Sequence, residues 1–272
     1  MKEKGYLCTS IYMRGGLLMM PIYKAVLIYC LMTFFCFCSS KPIAEKRAQN
    51  KELKDTVHYK SVNINFAASV KSPMATKMDS LGLVELLQVD STIHIQLMYA
   101  QPNNFTGQIL YEDLNEAYLH PDAAKALVNA HKALKSKHPS YRFIIYDAAR
   151  PMSAQKKMWN VVKGTPKFIY VSNPARGGGL HNYGLAVDIS IIDSLGTPLP
   201  MGTKVDHFGP EAHITQENEL VRHGKITEQE HLNRMLLRQI MKDAGFRALS
   251  SEWWHFNLCS REVARRNYNL IP

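Results

Sequence analysis

Past residue 38 the sequence has almost no cysteine. Cys8, Cys30, Cys36 and Cys38 lie in the first 38 residues, and Cys259 stands alone in the remainder. One thiol makes neither an internal disulfide nor a thiolate cluster, so a disulfide scaffold and a Cys-based zinc site are both excluded from the body. Any metal there must be held by His and carboxylate. Long apolar runs are also scarce, and none reaches the ~20 residues of a comfortable membrane helix. No internal repeat is visible. The one glycine cluster, Gly177-Gly178-Gly179, lacks the Lys-Ser/Thr of a phosphate loop, which excludes nucleotide binding of that kind. Acidic residues are short too: 23 against 33 Lys and Arg, a net charge of +10. That excess permits acidic partners without choosing among them. No nucleic-acid recognition motif accompanies it, so no nucleic-acid partner is expected. What the chain does have is length, 272 residues, and a 46% apolar fraction. Both suffice for a sizeable core and exclude global disorder.

The longest apolar stretch is residues 25–38, after Lys24 and before Ser39-Ser40-Lys41-Pro42. A positive residue, a short apolar run and small polar residues form the grammar of a signal peptide. Met20 would serve as a later start with the short leader Met20-Pro-Ile-Tyr-Lys24. Cys36 or Cys38 before Ser-Ser offers a lipoprotein acceptor, although the flanking aromatics fit a strict lipobox poorly; an uncleaved anchor is the alternative. The expected organisation is a signal peptide or lipoprotein signal over 1–40, a polar Lys-rich tether over 41–80, and one globular domain over 81–272. The expected location is exported, periplasmic or cell-envelope, with membrane contact only through that terminus.

In the body, 83–89 and 93–98 read as strands split by Asp90-Ser91. Ala123, Leu127, Ala130 and Leu134 fall at helical spacing over 121–137. A strand is expected over 142–146 and a helix capped by Ser153 running to about 163. Residues 164–184 read as loop, 186–192 as strand, and 196–226 as a long polar connection. Thr227-x-x-Glu230 is a capping box opening a helix that Gly245 closes. A last strand covers 253–258. Strands and helices mix without βαβ regularity, so the fold class is α+β with a small, mainly antiparallel sheet.

Three segments carry the chemistry: Tyr146-Asp147-Ala148-Ala149-Arg150-Pro151, the stretch from Gly177 through His181 and Gly184 to Asp188, and Ser251-Glu252-Trp253-Trp254-His255-Phe256. His181, Asp188 and His255 offer two imidazoles and a carboxylate, a set that suits one catalytic Zn²⁺ per chain with a position left for water. Gly184 allows a sharp turn between His181 and the strand bearing Asp188. Glu252 and His255 sit three apart, which on a regular strand points them to opposite faces. A bend near Ser251 is needed to bring Glu252 beside the metal, where it would take a proton from water. Each piece has a plainer reading. Most histidines are surface or core residues, Trp253 and Trp254 suit core packing, and Arg150 alone suits a structural ion pair. The order in which the pieces occur is more specific than any one of them.

At these residues the chain resembles the zinc D-alanyl-D-alanine dipeptidases of the vancomycin-resistance type. They share a fold group with D-Ala-D-Ala carboxypeptidases, lysostaphin-type peptidases and the hedgehog signalling domain. The likeness runs over about 83–257 and includes Tyr99 with Asn103-Asn104-Phe105-Thr106-Gly107, Asp147 with Arg150-Pro151, His181 to Asp188, Pro200 to Thr203 with Asp206, and Glu252 to His255. The resemblance implies His181, Asp188 and His255 as zinc ligands, Glu252 as general base and acid, and Arg150 as the residue stabilising the oxyanion. Tyr99 and Asp206 are implied in the substrate pocket, with Asp206 near the dipeptide ammonium. Two departures lie near the substrate: the family's Asp-Gly-Tyr-Arg-Pro reads Asp147-Ala148-Ala149-Arg150-Pro151, and its Ser two before the first His is Gly179.

The resulting expectation is zinc-dependent hydrolysis of D-Ala-D-Ala, with a small peptide as partner and 196–226 as a lid. The alternatives are a D,D- or L,D-carboxypeptidase or endopeptidase on intact peptidoglycan peptides, and a non-catalytic zinc-bearing wall-binding module, against which Glu252 argues.

Overall fold

Ala186–Ile192, seven consecutive buried residues, is the strand around which the rest is arranged. A strand buried along its whole length must be covered on both faces. The computed structural model describes residues 71–272. It contains α1 (Pro73–Ser80), β1 (Val84–Glu85), α2 (Leu86–Val89), β2 (His94–Ile95), β3 (Tyr118–Leu119), α3 (Pro121–Lys137), β4 (Arg142–Asp147), α4 (Met152–Val162), β5 (Ala186–Ile192), α5 (Glu217–Arg222), α6 (Glu228–Asp243), β6 (Arg247–Leu249), β7 (Glu252–Asn257) and α7 (Arg261–Asn267). Five strands form one sheet in the order β2-β4-β5-β7-β6, and β1 pairs with β3 apart from it. Only β2–β4 is parallel; the other pairs of the large sheet are antiparallel. This is the α+β class expected from the sequence. The signal, Cys36, Cys38 and most of the tether lie outside the described residues. Among the described residues no helix is long and apolar enough to cross a membrane.

Val187, Ile189 and Ile191 alternate along β5 and are fully buried. Burying each such side chain contributes about 1.5–3 kcal/mol. α3 packs on β4 and on α6, and α6 packs on β6 and β7. α3 has Pro121 in its first turn, where a missing N–H costs nothing, and buries Ala123, Leu127, Ala130 and Leu134. α6 has the reciprocal cap: Glu230 N–H donates to Thr227 Oγ1 at 3.2 Å, and Thr227 N–H donates to Glu230 Oε2 at 2.6 Å.

The structure corrects several expectations. The strand expected over 83–89 is two residues of β1 followed by one helical turn, because the Leu86 N–H turns to the Ala117 carbonyl at 2.9 Å. The strand over 93–98 is only His94–Ile95. Ser153 does not cap α4; the helix begins a residue earlier, behind Pro151, with Ser153 exposed. The loop 164–184 holds three 3-10 turns, Pro166–Tyr170, Pro174–Arg176 and Leu180–Tyr183. The connection 196–226 contains the 3-10 turn Pro210–Ala212 and α5. The last part of the expected tether is not a tether. Pro73–Ser80 is a helix capped by Ser72, and Ala75 and Met78 join the core.

Candidate active site

Cross-strand register assembles half of the site. Asp188 on β5 stands directly opposite His255 on β7 and opposite Asp147 on β4. Residues facing each other across adjacent strands share a face, so these three form one row across the middle of the sheet. His181 comes from the 3-10 turn before β5. That turn ends at Gly184 in the left-handed conformation, φ 67°. A β-carbon at 184 would lie 2.8 Å from the His120 backbone nitrogen, so glycine is required on both counts.

The imidazoles are aimed by their outer nitrogens. His181 donates from Nδ1 to the Ala148 carbonyl at 2.7 Å, and His255 donates from Nε2 to Asn257 Oδ1 at 2.9 Å. The inner nitrogens, His181 Nε2 and His255 Nδ1, are 3.2 Å apart. Asp188 Oδ1 lies 2.9 Å from His255 Nδ1 and 3.4 Å from His181 Nε2. The three candidate ligand atoms all fall within 4.8 Å of one another. Two ring nitrogens and a carboxylate oxygen converging on one point, with both imidazoles held from behind, fit a divalent cation. The electrostatics agree. Burial alone would raise the Asp188 carboxyl, but the two imidazoles hold it far below the carboxylate range. Burial would lower His255, yet Asp188 and Glu252 push it up to about 9, so the site draws positive charge.

Glu252 Oε2 lies 3.9 Å from His255 Nδ1. The odd spacing is resolved by a bulge: Leu249 of β6 pairs with Glu252, while the preceding Ala248 pairs with Phe256. The extra residues turn Glu252 back toward the face that His255 occupies. Burial raises its carboxyl, partly countered by His255.

Arg150 is buried and committed. It donates from Nε and Nη2 to Asp147 Oδ2 at 3.0 and 2.5 Å, and from Nη1 to Gln155 Oε1 at 2.9 Å and to Met158 Sδ at 3.3 Å. A guanidinium has five N–H donors, so one hydrogen on Nη2 remains for the pocket. Tyr111 donates to Asp147 Oδ1 at 2.5 Å, completing the support. The Arg150 guanidinium also sits 5.0 Å over the Tyr99 ring. Tyr99 in turn donates its hydroxyl to Asp206 Oδ2 at 2.8 Å. Asp206 has φ 61°, a left-handed backbone uncommon outside glycine, and meets no cation within salt-bridge distance among the described residues. Burial, with Asp188 nearby, pushes its carboxyl up to about 7 against the pull of Tyr99 and Arg150.

All seven residues singled out from the sequence line one cavity of about 150 Å³. Phe208 roofs it, edge-on to Phe105 at 5.0 Å and tilted on Tyr170 at 5.1 Å. Asp206, His207 and Phe105 also border a larger cavity of about 840 Å³ on which the buried Ser190 Oγ opens without a partner.

The model of the D-Ala-D-Ala dipeptidase family matches residues 79–271. The chain belongs to that family. It is 33% identical over 180 residues to the D-alanyl-D-alanine dipeptidase of Escherichia coli K12, covering 66% of this chain and 86% of that one. It is 28% identical to the Synechocystis protein of the same name, over 54% and 71% of the two chains. With that of Enterococcus faecium it shares 26% identity, over 65% and 92%. It is a metallopeptidase by membership, with a His-Asp-His group able to take the metal.

Several residues that build this family site went unnoticed in the sequence. Asn257 fixes the His255 ring from two residues along the strand, a same-face spacing that was readable. Gln155 and Tyr111 hold the Arg150–Asp147 pair from elements remote in sequence and left no local signal. Gly178 also has a reason: at φ 62° a side chain there would run into Asn182 Oδ1, which accepts the Gly179 N–H at 2.9 Å.

Proposed function

We propose that this metallopeptidase hydrolyses the D-Ala-D-Ala dipeptide, with Zn²⁺ held by His181, Asp188 and His255. The observation that carries the reading is Asp206, a half-buried carboxylate with no cation within salt-bridge distance among the described residues, bonded to Tyr99 in the same small cavity as the three candidate ligands. A carboxylate drawn out of water without a cation calls for a positive partner, and a dipeptide brings its ammonium. When bound, the ion supplies Lewis acidity, acidifying water and polarising the peptide carbonyl.

The side chains have separate tasks. Glu252, raised by burial, takes a proton from water and returns it to the departing amine. Arg150 turns its remaining Nη2 hydrogen to the oxygen on which negative charge develops. Asp147, Gln155 and Tyr111 hold it ready, so little reorganisation accompanies the reaction. Phe208, packed on Phe105 and Tyr170, gives the cavity an apolar wall.

A second reading, a carboxypeptidase acting on longer wall peptides, is favoured by the larger cavity beyond Asp206. Turnover of D-Ala-D-Ala, a pentapeptide stem and L-Ala-L-Ala by the zinc-loaded protein separates the readings. Preference for the free D,D-dipeptide supports the first; equal turnover of the stem replaces it with the second. We further propose an exported cell-envelope protein, on the strength of Lys24 and the apolar residues 25–38. Mass spectrometry should find processing near 36–40, and an intact leader on a cytosolic protein would refute export.

A further inference from the structure

A dipeptide has two charged ends, and Asp206 answers only one. Arg150, the buried guanidinium of the cavity, has one N–H left after Asp147, Gln155 and Met158, and that one is assigned to the oxyanion. Arg261, the first residue of α7, also lines the cavity. Its Nη2 donates to Ser172 Oγ at 2.9 Å, and among the described residues it meets no carboxylate within salt-bridge distance. Ser172 is held from its backbone side, its carbonyl accepting from Gln155 Nε2 at 2.7 Å. Gly179 completes this wall. A β-carbon at 179 would lie 3.0 Å from Ser172 Oγ, so the hydroxyl occupies the ground that a side chain at 179 would enter. A guanidinium with no carboxylate partner and a hydroxyl beside it thus stand together in the cavity that also holds Asp206.

We propose that Arg261 and the Ser172 hydroxyl form the subsite for the free α-carboxylate of the substrate's C-terminal residue. The inference rests on the peptidase reading of the same cavity. A guanidinium pairs with a carboxylate through two parallel N–H bonds, and the Ser172 hydroxyl can turn to give a third. A subsite of this kind makes the enzyme demand a free C-terminus, which an endopeptidase groove does not.

The test compares D-Ala-D-Ala with its C-terminal amide. In the metal-loaded Glu252→Gln protein, binding of each is measured by calorimetry; in the native protein, turnover of each is measured. The protein should bind the acid at least tenfold more tightly than the amide, consistent with charge-assisted hydrogen bonds. Arg261→Ala should abolish that ratio and raise KM for the acid with kcat little changed. Arg261→Lys should keep part of the ratio, and Ser172→Ala should reduce it modestly. A purely structural Arg261 would weaken both ligands alike, and an unchanged ratio in Arg261→Ala overturns the proposal. An acid preference that needs Arg261, in a native protein that turns over neither ligand, upholds the subsite and overturns the peptidase reading alone.

Discussion

Glu252→Gln isolates proton transfer from metal binding. Gln has nearly the same shape, so the half-buried packing of the side chain at the start of β7 is kept. The three ligand atoms lie within 4.8 Å of one another without any atom of Glu252. The carboxylate stands 3.9 Å from His255 Nδ1, alongside the ligands but outside their set. Metal content should therefore stay at one ion per chain, and the melting temperature should hold. What vanishes is the proton acceptor. General-base contributions are about 10²–10⁴-fold, which is roughly 3–5 kcal/mol of barrier at 1.36 kcal/mol per decade. Elemental analysis and D-Ala-D-Ala turnover on the same sample give both numbers. Near-native turnover would refute the role of Glu252. Lost metal with lost turnover would make Glu252 a ligand and expel one of His181, Asp188 and His255.

His181→Ala, Asp188→Ala and His255→Ala should each lose metal and turnover together; full occupancy in any variant removes that residue from the site. Tyr111→Phe strips a donor from buried Asp147, which should cost about 1–3 kcal/mol in denaturant unfolding and lower kcat through the slackened Arg150. Arg234 on α6 donates to the carbonyls of Met201 at 2.6 Å and Glu211 at 3.0 Å, bracketing the loop that carries Asp206. Arg234→Met should destabilise the protein by about 1–3 kcal/mol for each carbonyl left without its donor, while Glu217 keeps Arg238; KM should rise with it. Asp90 bonds Thr92 and His131, which outweigh burial and hold its carboxyl down to about 2. A depressed folded value contributes stability above the unfolded value of about 4 and loses it as pH falls toward 2. Asp90→Asn should flatten that acid limb in a pH series of thermal melts, and an unchanged limb would reject the assignment.

The parts legible in the sequence are those whose cause is local. The Thr227 box and Gly245 mark both ends of α6, and the heptad-like apolar spacing marks α3. Seven apolar-rich residues mark β5. The candidate metal ligands were readable because few residue types bind metal in a body with one thiol. Illegible features depend on partners distant in sequence. Nothing around Leu86 announces that its N–H meets Ala117, and nothing around Glu252 announces a bulge set by pairing with β6. Helix α1 read as tether because eight polar-leaning residues bury only Ala75 and Met78.

Ile271 N–H donates to the Asn182 carbonyl at 2.8 Å, and the Ile271 carbonyl accepts from the Met152 N–H at 2.9 Å. This residue therefore ties the turn holding His181 to the start of α4, next to Arg150. Ile271 puts no side chain into the cavity. Its peptide group alone keeps the turn of the first candidate ligand in step with the buried guanidinium, so the reacting groups are braced by a residue that takes no part in the chemistry.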